Sequence, residues 1–182
     1  MEKSVLIAGF GGQGVMSIGK MLGYAASDAG KFASFYPSYG AEQRGGTANC
    51  TVIISDEEIG SPAVSKLDVL IAMNEPSYQK FSPKVKKGGS IVINSSMVSS
   101  KVEDKDINAY YIPANEMANE LGSPLVANII ILGAYLGVSN ALSEDQAKAI
   151  IKKMLGSKPG MLEINYKAFD KGFEAVNKSN DT

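Results

Sequence analysis

The chain begins with a strand, a glycine-rich loop and a helix in immediate succession, and this order restricts the fold more than any other feature. Residues 4–9 form a short apolar run with β-branched side chains, which is typical of a strand buried on both faces of a parallel sheet. Apolar residues then recur at helical spacing over residues 13–29, and Gly30 is a helix stop signal. We therefore expect an α/β fold with this first strand at its centre.

The rest of the chain repeats strand and helix patterns and then becomes helical. Short apolar or alternating runs predict strands at residues 31–36, 47–55, 68–74, 90–94 and 108–112. A short helix is expected from Pro76, and four longer ones at residues 115–121, 124–137, 144–155 and 166–177. The predicted fold is an open, doubly wound, mostly parallel sheet with helices on both faces, which is Rossmann-like.

Length and helix composition add two expectations. At 182 residues, one domain is expected over residues 1–178, with a frayed polar tail at residues 179–182. Gly133 and Gly137 lie one turn apart in the most apolar predicted helix, which favours the close approach of a neighbouring element.

Composition excludes several classes of function. The 18 Lys and Arg residues against 19 Asp and Glu give a net charge of -1, without the basic excess of proteins that bind nucleic acid or anionic membranes. The sequence has no histidine, which excludes Ser-His-Asp triads and histidine metal sites. Cys50 alone provides neither a disulfide nor the four thiolates of an iron–sulfur cluster. No apolar segment reaches the ~20 residues of a membrane helix, so we expect a cytoplasmic protein without membrane or nucleic-acid partners.

Gly9, Gly11 and Gly14 match a G-x-G-x-x-G pattern, with Gly12 and Gln13 between them. Between a strand and a helix, such backbone amides can receive a phosphate or a carboxylate. Three interpretations stay open. A dinucleotide site needs an acidic residue about 20 positions further on, and the predicted second strand ends without one. The glycines can instead serve only the turn and helix packing, or they contact an anion or a partner's backbone.

A second glycine-containing loop is predicted at residues 37–46 and is long for a link between strands. Arg44 lies beside Gly45 and Gly46 in this loop. Loops at the carboxyl ends of strands in a doubly wound sheet share one edge, so this loop is expected to meet the first glycine loop. Arg44 is then a fixed charge for an anion. The other interpretation is a surface arginine that is solvated or paired with Glu42.

Together, the segments GFGGQG at residues 9–14, SYGAEQRGG at residues 38–46 and TANCTVIIS at residues 47–55 resemble the gamma subunit of the 2-oxoacid:ferredoxin oxidoreductases. The resemblance extends over nearly the whole chain and includes SPLVAN at residues 123–128. Ala41 departs from it, because many relatives have proline there. The runs at residues 44–50 and 58–62 look most like the 2-oxoglutarate or branched-chain (ketoisovalerate) type.

The resemblance implies a cofactor-free, non-catalytic subunit of a larger enzyme. The assembled enzyme oxidatively decarboxylates a 2-oxoacid to an acyl-CoA and reduces ferredoxin. Thiamine diphosphate lies on the alpha and beta subunits in that family and iron–sulfur clusters on cysteine-rich parts, so this chain alone is expected to be inactive. The implied partners are the alpha and beta subunits, a ferredoxin-like subunit and, for the isolated chain, a second copy of itself.

By the same similarity, the two loops are expected to contact coenzyme A, another anion or a partner subunit through Gly9, Gly11, Gly12, Gln13, Gly14, Arg44, Gly45 and Gly46. The alternative outside the family is a stand-alone Rossmann-like nucleotide-binding oxidoreductase. That alternative needs the missing acidic residue and a proton-transfer group, for which the sequence offers no recognisable constellation.

Overall fold

The computed structural model describes residues 1–39 and 47–178, and six strands in it form one sheet. The strands are β1 (Glu2–Phe10), β2 (Phe32–Tyr39), β3 (Thr47–Ser55), β4 (Leu67–Ala72), β5 (Val85–Asn94) and β6 (Asn108–Ile112). They lie in the order β2-β3-β1-β4-β5-β6, so β1 is central, as predicted.

The sheet is mixed because β3 runs against its neighbours. β1, β4, β5 and β6 pair in parallel, whereas β3 pairs antiparallel with both β1 and β2. The predicted α/β class and mostly parallel sheet are confirmed. The exception follows from the connection between β2 and β3, which is too short for the helical crossover that parallel neighbours require.

In the described part of the chain, six α-helices cover both faces of the sheet. They are α1 (Val15–Asp28), α2 (Glu75–Phe81), α3 (Ala114–Glu120), α4 (Ala127–Ser139), α5 (Glu144–Leu155) and α6 (Pro159–Lys178). α2 packs against one face through Tyr78 and Phe81, and the buried side chains of the other five helices form one core on the opposite face. None of the helices among the described residues is both long and apolar enough to cross a membrane.

Some element boundaries differ from the predictions. β2 continues to Tyr39, so the first three residues of the predicted loop belong to a strand. α6 begins at Pro159 and not at residue 166, because proline is well accommodated in the first turn of a helix, where its missing N–H has no intrahelical partner. α5 begins behind Ser143 as predicted, in a capping box completed by Gln146.

Glycines allow α4 and α6 to pack closely. A Cβ atom on Gly133 would overlap the Phe169 carbonyl group, and one on Gly172 would overlap the Ile130 carbonyl group. The neighbour expected beside Gly133 and Gly137 is therefore confirmed, and it is α6.

The amino ends of β1 and β4 are joined through Ser4 and Asp68. The Ser4 N–H donates to Asp68 Oδ2 at 2.8 Å, and the Asp68 N–H donates to Ser4 Oγ at 3.1 Å. Lys86 forms an ion pair with the same carboxylate. Burial raises the pKa of Asp68, but the bonds from Lys86 and Ser4 outweigh it and hold that pKa below its usual value.

We expect Asp68→Asn to lower the free energy of unfolding by about 1 kcal/mol near neutral pH, because Lys86 loses its partner and remains partly exposed. A lowered folded-state pKa stabilises the protein only above the unfolded pKa of about 3.9, and this stabilisation is lost as pH falls through the folded value. The difference between wild type and variant in urea unfolding should therefore shrink toward about pH 3. Asp106→Asn, which removes a highly exposed pair with Lys87, should have almost no effect at either pH; equal losses from both variants would contradict this account.

Candidate functional site

The site lies where the chain leaves β1 and β4 in opposite directions. β1 continues through α1 toward β2 and β3 on one side, whereas β4 continues through α2 to β5 on the other. α1 and α2 lie on opposite faces of the sheet. Ligands of open α/β sheets bind in the crevice at such a switch point, outside the carboxyl ends of the strands.

A cavity of about 250 Å³ opens at this point. Its walls come from the first glycine loop, from the residue that follows β4, from α3, from the start of α4 and from the segment between these two helices. The described residues that line it are Gly12, Gln13, Gly14, Met73, Asn115, Asn119, Pro124, Leu125, Ala127 and Asn128. None of these ten has an ionisable side chain, so they offer hydrogen-bonding groups and no group for proton transfer.

The side chain of Gln13 connects the two sides of the crevice. Its Oε1 atom accepts hydrogen bonds from the Phe10 N–H at 2.7 Å and from Asn74 Nδ2 at 3.3 Å. Its Nε2 atom donates to the Met73 carbonyl oxygen at 3.2 Å. Asn74 is itself fully buried and caps α2 by accepting from the Ser77 N–H. Gln13 therefore positions the glycine loop, and its side-chain amide is bonded within the chain.

The glycines of the loop have different reasons for being glycine. A Cβ atom on Gly9 would meet Gln13 Oε1 at 2.6 Å and Met73 Cβ at 2.8 Å, so Gly9 serves packing. Gly14 has a φ of 77°, and a Cβ atom on it would overlap the Asn128 side chain, so both the turn and packing require glycine there. Gly12 has a φ of 92° in open space, and Gly11 is exposed with no atom near its missing Cβ. The backbone at Gly11 and Gly12 is therefore open to approach from outside.

Two helix N-termini point toward the cavity. α1 begins after Gly14 and α4 begins after Val126, and neither N-terminus is capped by a side chain. Ala127 and Asn128, the first residues of α4, line the cavity opposite Gly14. The positive end of each helix dipole favours an anion. With no carboxylate among the described lining residues, the electrostatics of the cavity suit a phosphate or a carboxylate.

The predicted second loop starts and ends beside the first one. Phe10, at the end of β1, pairs with Thr47, and Ala48 pairs with Tyr39 at the end of β2. The two loops therefore begin at the same end of the sheet, where β1 and β2 have their carboxyl ends. The antiparallel pairing of β2 and β3 brings them together. Arg44, Gly45 and Gly46 lie outside the described residues, as does the predicted frayed tail at residues 179–182.

The cavity also contains residues that the sequence predictions did not assign to it. Asn115, Asn119 and Asn128 supply amide groups, and Leu125 is 78% exposed at the rim. The sequence predicts a helix at residues 124–137 and includes residues 123–128 in the resemblance, but assigns neither segment to a site. Pro124 close to the predicted helix is a sequence signal for a helix N-terminus. It does not indicate which site that N-terminus faces.

The dinucleotide interpretation is wrong. In a dinucleotide-binding sheet, the strand that carries the acidic residue lies beside β1, but here β3 separates β2 from β1. β2 also has no acidic residue from Phe32 to Tyr39. Among the residues that the structure describes, the crevice therefore offers no acidic group to hold the ribose hydroxyls.

Cys50 has a structural role. Its side chain is buried against Gly19, and its thiol donates to the Val15 carbonyl oxygen at 3.6 Å. Burial raises the pKa of Cys50 to about 12, so the thiolate is rare at neutral pH. Among residues 1–39 and 47–178, no cluster of three metal-binding side chains is found.

Comparison with known proteins connects this architecture to one family. The family model described as pyruvate ferredoxin/flavodoxin oxidoreductase matches residues 4–175. The 2-oxoglutarate synthase subunit KorC of Methanocaldococcus jannaschii is 38% identical over 180 residues, which cover 97% of this chain and 95% of KorC. The ketoisovalerate oxidoreductase subunit VorA of Methanothermobacter marburgensis is 40% identical over 179 residues, or 98% of this chain. The chain spans only 37% of VorA.

Two solved structures share the fold over nearly all of this chain. The keto/oxoacid ferredoxin oxidoreductase gamma subunit from Geobacter sulfurreducens matches with a TM-score of 0.87 and 29% identity, over 98% of both chains. The 2-oxoglutarate:ferredoxin oxidoreductase from Magnetococcus marinus, solved with 2-oxoglutarate, coenzyme A and succinyl-CoA, matches with a TM-score of 0.89 and 28% identity, over 97% of this chain and 31% of that one. The resemblance to gamma subunits is confirmed, and the chain belongs to the pyruvate ferredoxin/flavodoxin oxidoreductase family.

Proposed function

We propose that this chain is the gamma subunit of a 2-oxoacid:ferredoxin oxidoreductase and that it contributes binding and not catalysis. The observation that carries this proposal is the similarity to a complete gamma subunit over 98% of both chains. The cavity supports it, since its described lining offers amides and two helix N-termini and no ionisable side chain. The complex oxidatively decarboxylates a 2-oxoacid to its acyl-CoA and reduces ferredoxin.

The partners and cofactors of the complex follow from the same similarity. Thiamine-binding alpha and beta subunits and a ferredoxin-like subunit carry thiamine diphosphate and the iron–sulfur clusters, in the cytoplasm. The substrate is 2-oxoglutarate or a branched-chain 2-oxoacid, the two classes named for the similar KorC and VorA subunits. The isolated gamma subunit associates with itself.

The cavity receives an anionic group. A phosphate of coenzyme A and a carboxylate of a partner subunit share the chemistry that two helix N-termini recognise. Gly11 and Gly12 leave their backbone open on the approach to it, while Gly9, Gln13 and Gly14 hold the loop in place. Arg44 is the only arginine of the sequence, and the loop that contains it begins and ends at this edge of the sheet. We assign to Arg44, with Gly45 and Gly46, the charged contact to the same anion.

Arg44→Ala is therefore expected to weaken the reconstituted enzyme without destabilising this chain. Loss of a charge-assisted hydrogen bond at the subunit boundary costs about 1.5–3 kcal/mol of binding, or roughly 10- to 150-fold. The melting temperature of the free subunit should remain nearly unchanged, because a glycine-rich segment is poorly suited to carrying core packing energy. Arg44→Lys should restore only part of the loss, since lysine lacks the planar fork of guanidinium.

The measurement pairs thermal unfolding of the free subunit with assembly and turnover of the complex. A raised apparent Michaelis constant for coenzyme A with normal assembly identifies the phosphate, whereas weak assembly identifies a partner carboxylate. Lys87→Ala is the matched control, because it removes one positive charge from the opposite end of the sheet, where Lys87 is 88% exposed. Normal assembly and turnover in Arg44→Ala would leave the loop as an ordinary surface loop.

A further inference from the structure

β2 is an edge strand without charged side chains. It is the outermost strand on its side of the sheet, and its eight residues, FASFYPSY, include no charged side chain. Edge strands of soluble proteins commonly carry lysine or other charges that discourage the addition of another strand. Phe32 and Tyr36 are 45% and 57% exposed on this strand. An uncharged edge with exposed aromatic side chains is suited to pairing.

The register of the sheet identifies the backbone groups that face outward. The Asp56 N–H donates to the Met1 carbonyl oxygen, and bonded pairs between β1 and β3 recur at every second residue from there. The residues of β3 that do not bond to β1 therefore bond to β2. Their partners in β2 are Phe32, Ser34, Tyr36 and Ser38. The N–H and C=O groups of Ala33 and Phe35 consequently point away from the sheet. Pro37 also faces away from β3, so its missing N–H group removes no hydrogen bond between β2 and β3.

These outward groups match one self-complementary register. If two β2 strands run antiparallel with Ser34 opposite Ser34 of a second copy, Ala33 lies opposite Phe35, and each such pair exchanges two hydrogen bonds. The next pair outward is Lys31 with Pro37, and neither residue has a free donor, because the Lys31 N–H already donates to the Ala26 carbonyl oxygen. In this register, every outward N–H group between Lys31 and Pro37 therefore has an acceptor on the second copy.

Side chains are complementary in the same register. Phe35 and Ala33 lie on the α1 face, where Phe35 contacts Gly19, and a cavity of about 330 Å³ beside them is lined by Lys20, Gly23, Tyr24, Ser27, Ala33 and Phe35. The pairing places the large ring of Phe35 from one copy against the small Ala33 of the other, next to this cavity. On the opposite face, Phe32 and Tyr36 become direct cross-strand neighbours in a non-hydrogen-bonded pair, where side chains lie closest.

We propose that β2 is the self-association surface of this chain, and that two copies pair through it into one continuous antiparallel sheet centred on Ser34. The inference rests on the self-association of the isolated subunit proposed above and names its surface. The identical strands carry no charged side chain, so direct cross-strand pairs within β2 place no like charges opposite each other. Pairing in this register covers the exposed aromatic side chains of both copies.

The test measures the mass of the purified full chain by size-exclusion chromatography with light scattering. Wild type should have twice the 19.2 kDa mass of one chain. Ser34→Lys and Ser34→Glu should each lose the dimer, because two like charges would lie directly opposite each other, and a mixture of the two variants should regain it. Ser38→Lys is the matched control and should stay dimeric, since Ser38 is exposed on the same face of β2 outside the bonded segment.

A second variant protects the test against a folding defect. Ala33→Pro removes an outward N–H without touching the ladder to β3, and it should also give a monomer with an unchanged melting transition. A monomeric wild type, a dimeric Ser34→Lys, or a mixture that stays monomeric would overturn the proposal. If Ser34→Lys stays dimeric but fails to join thiamine-binding subunits, β2 binds a partner subunit and not a second copy of this chain. That result would also overturn the proposal. Assembly with those subunits is measured separately, so the proposed function can stand if this surface is refuted.

Discussion

Gly172→Ala should lower the free energy of unfolding by about 3 kcal/mol or more, the upper part of the range for overpacked cores. The added Cβ atom would overlap the Ile130 carbonyl group and approach the Ala134 N atom at 3.1 Å. Both are backbone atoms of α4, which cannot move aside as the end of a side chain can. The fully buried side chains of Ile131 and Tyr135 also hold α4 in the core. The strain therefore has to be relieved by separating α4 from α6.

Gly160→Ala provides the control within the same helix. Gly160 has no atom near its missing Cβ, so alanine there should be neutral or stabilise the helix by up to about 1 kcal/mol. Urea unfolding of both variants by circular dichroism measures the difference. If Gly172→Ala were as stable as Gly160→Ala, α4 and α6 would have to lie further apart than in this structure.

The elements that the sequence predicted well depend on local signals. The strand, glycine loop and helix at the start of the chain follow from neighbouring residues, and so does the Ser143 cap of α5. Strand order depends on pairings between distant segments, which no local pattern encodes. The expectation of a doubly wound sheet did not anticipate that β3 would lie between β1 and β2 in the opposite direction. That arrangement follows from the hairpin connection and not from any residue inside β3.

The same distinction applies to the site. Gly9, Gly11 and Gly14 are recognisable as a pattern between a strand and a helix, and Gly12 and Gly14 have the positive φ that favours glycine in such a turn. Asn128 is not recognisable in the sequence, because it reaches Gly14 across more than one hundred residues of sequence, and its role is visible only when α4 is in place. The sequence predicts that Gln13 contacts an anion, coenzyme A or a partner subunit. In the structure, Gln13 lines the cavity and its side chain bonds across the switch point to residues that follow β4. A glutamine in a loop gives no sequence signal that separates these two roles.

Gln13→Ala should reduce the free energy of unfolding by about 2–3 kcal/mol, because it leaves several polar groups without partners. The fully buried Asn74 would lose the acceptor of its amide, and the Phe10 N–H and the Met73 carbonyl would lose their bonds to the side chain. Gln79→Ala is the control. Gln79 bonds to Glu75 and Ser100 on an exposed face of α2, so its loss should cost less than about 0.5 kcal/mol.

The consequence for function separates a positioning role from a purely structural one. Without the bridge, Gly11 and Gly12 are no longer held at the mouth of the cavity, so assembly or the apparent Michaelis constant for coenzyme A should worsen even at temperatures where the variant is fully folded. Hydrogen exchange of the Phe10 amide reports the loss of the bridge directly, because this N–H donates to Gln13 Oε1. A Phe10 amide that stays protected in Gln13→Ala would mean that β1 and β4 fix the loop without the Gln13 side chain, which contradicts the positioning role. Rapid exchange of the Phe10 amide with unchanged assembly and turnover would instead show that Gln13 contributes only to stability. The anion would then bind to groups that do not depend on the order of this loop.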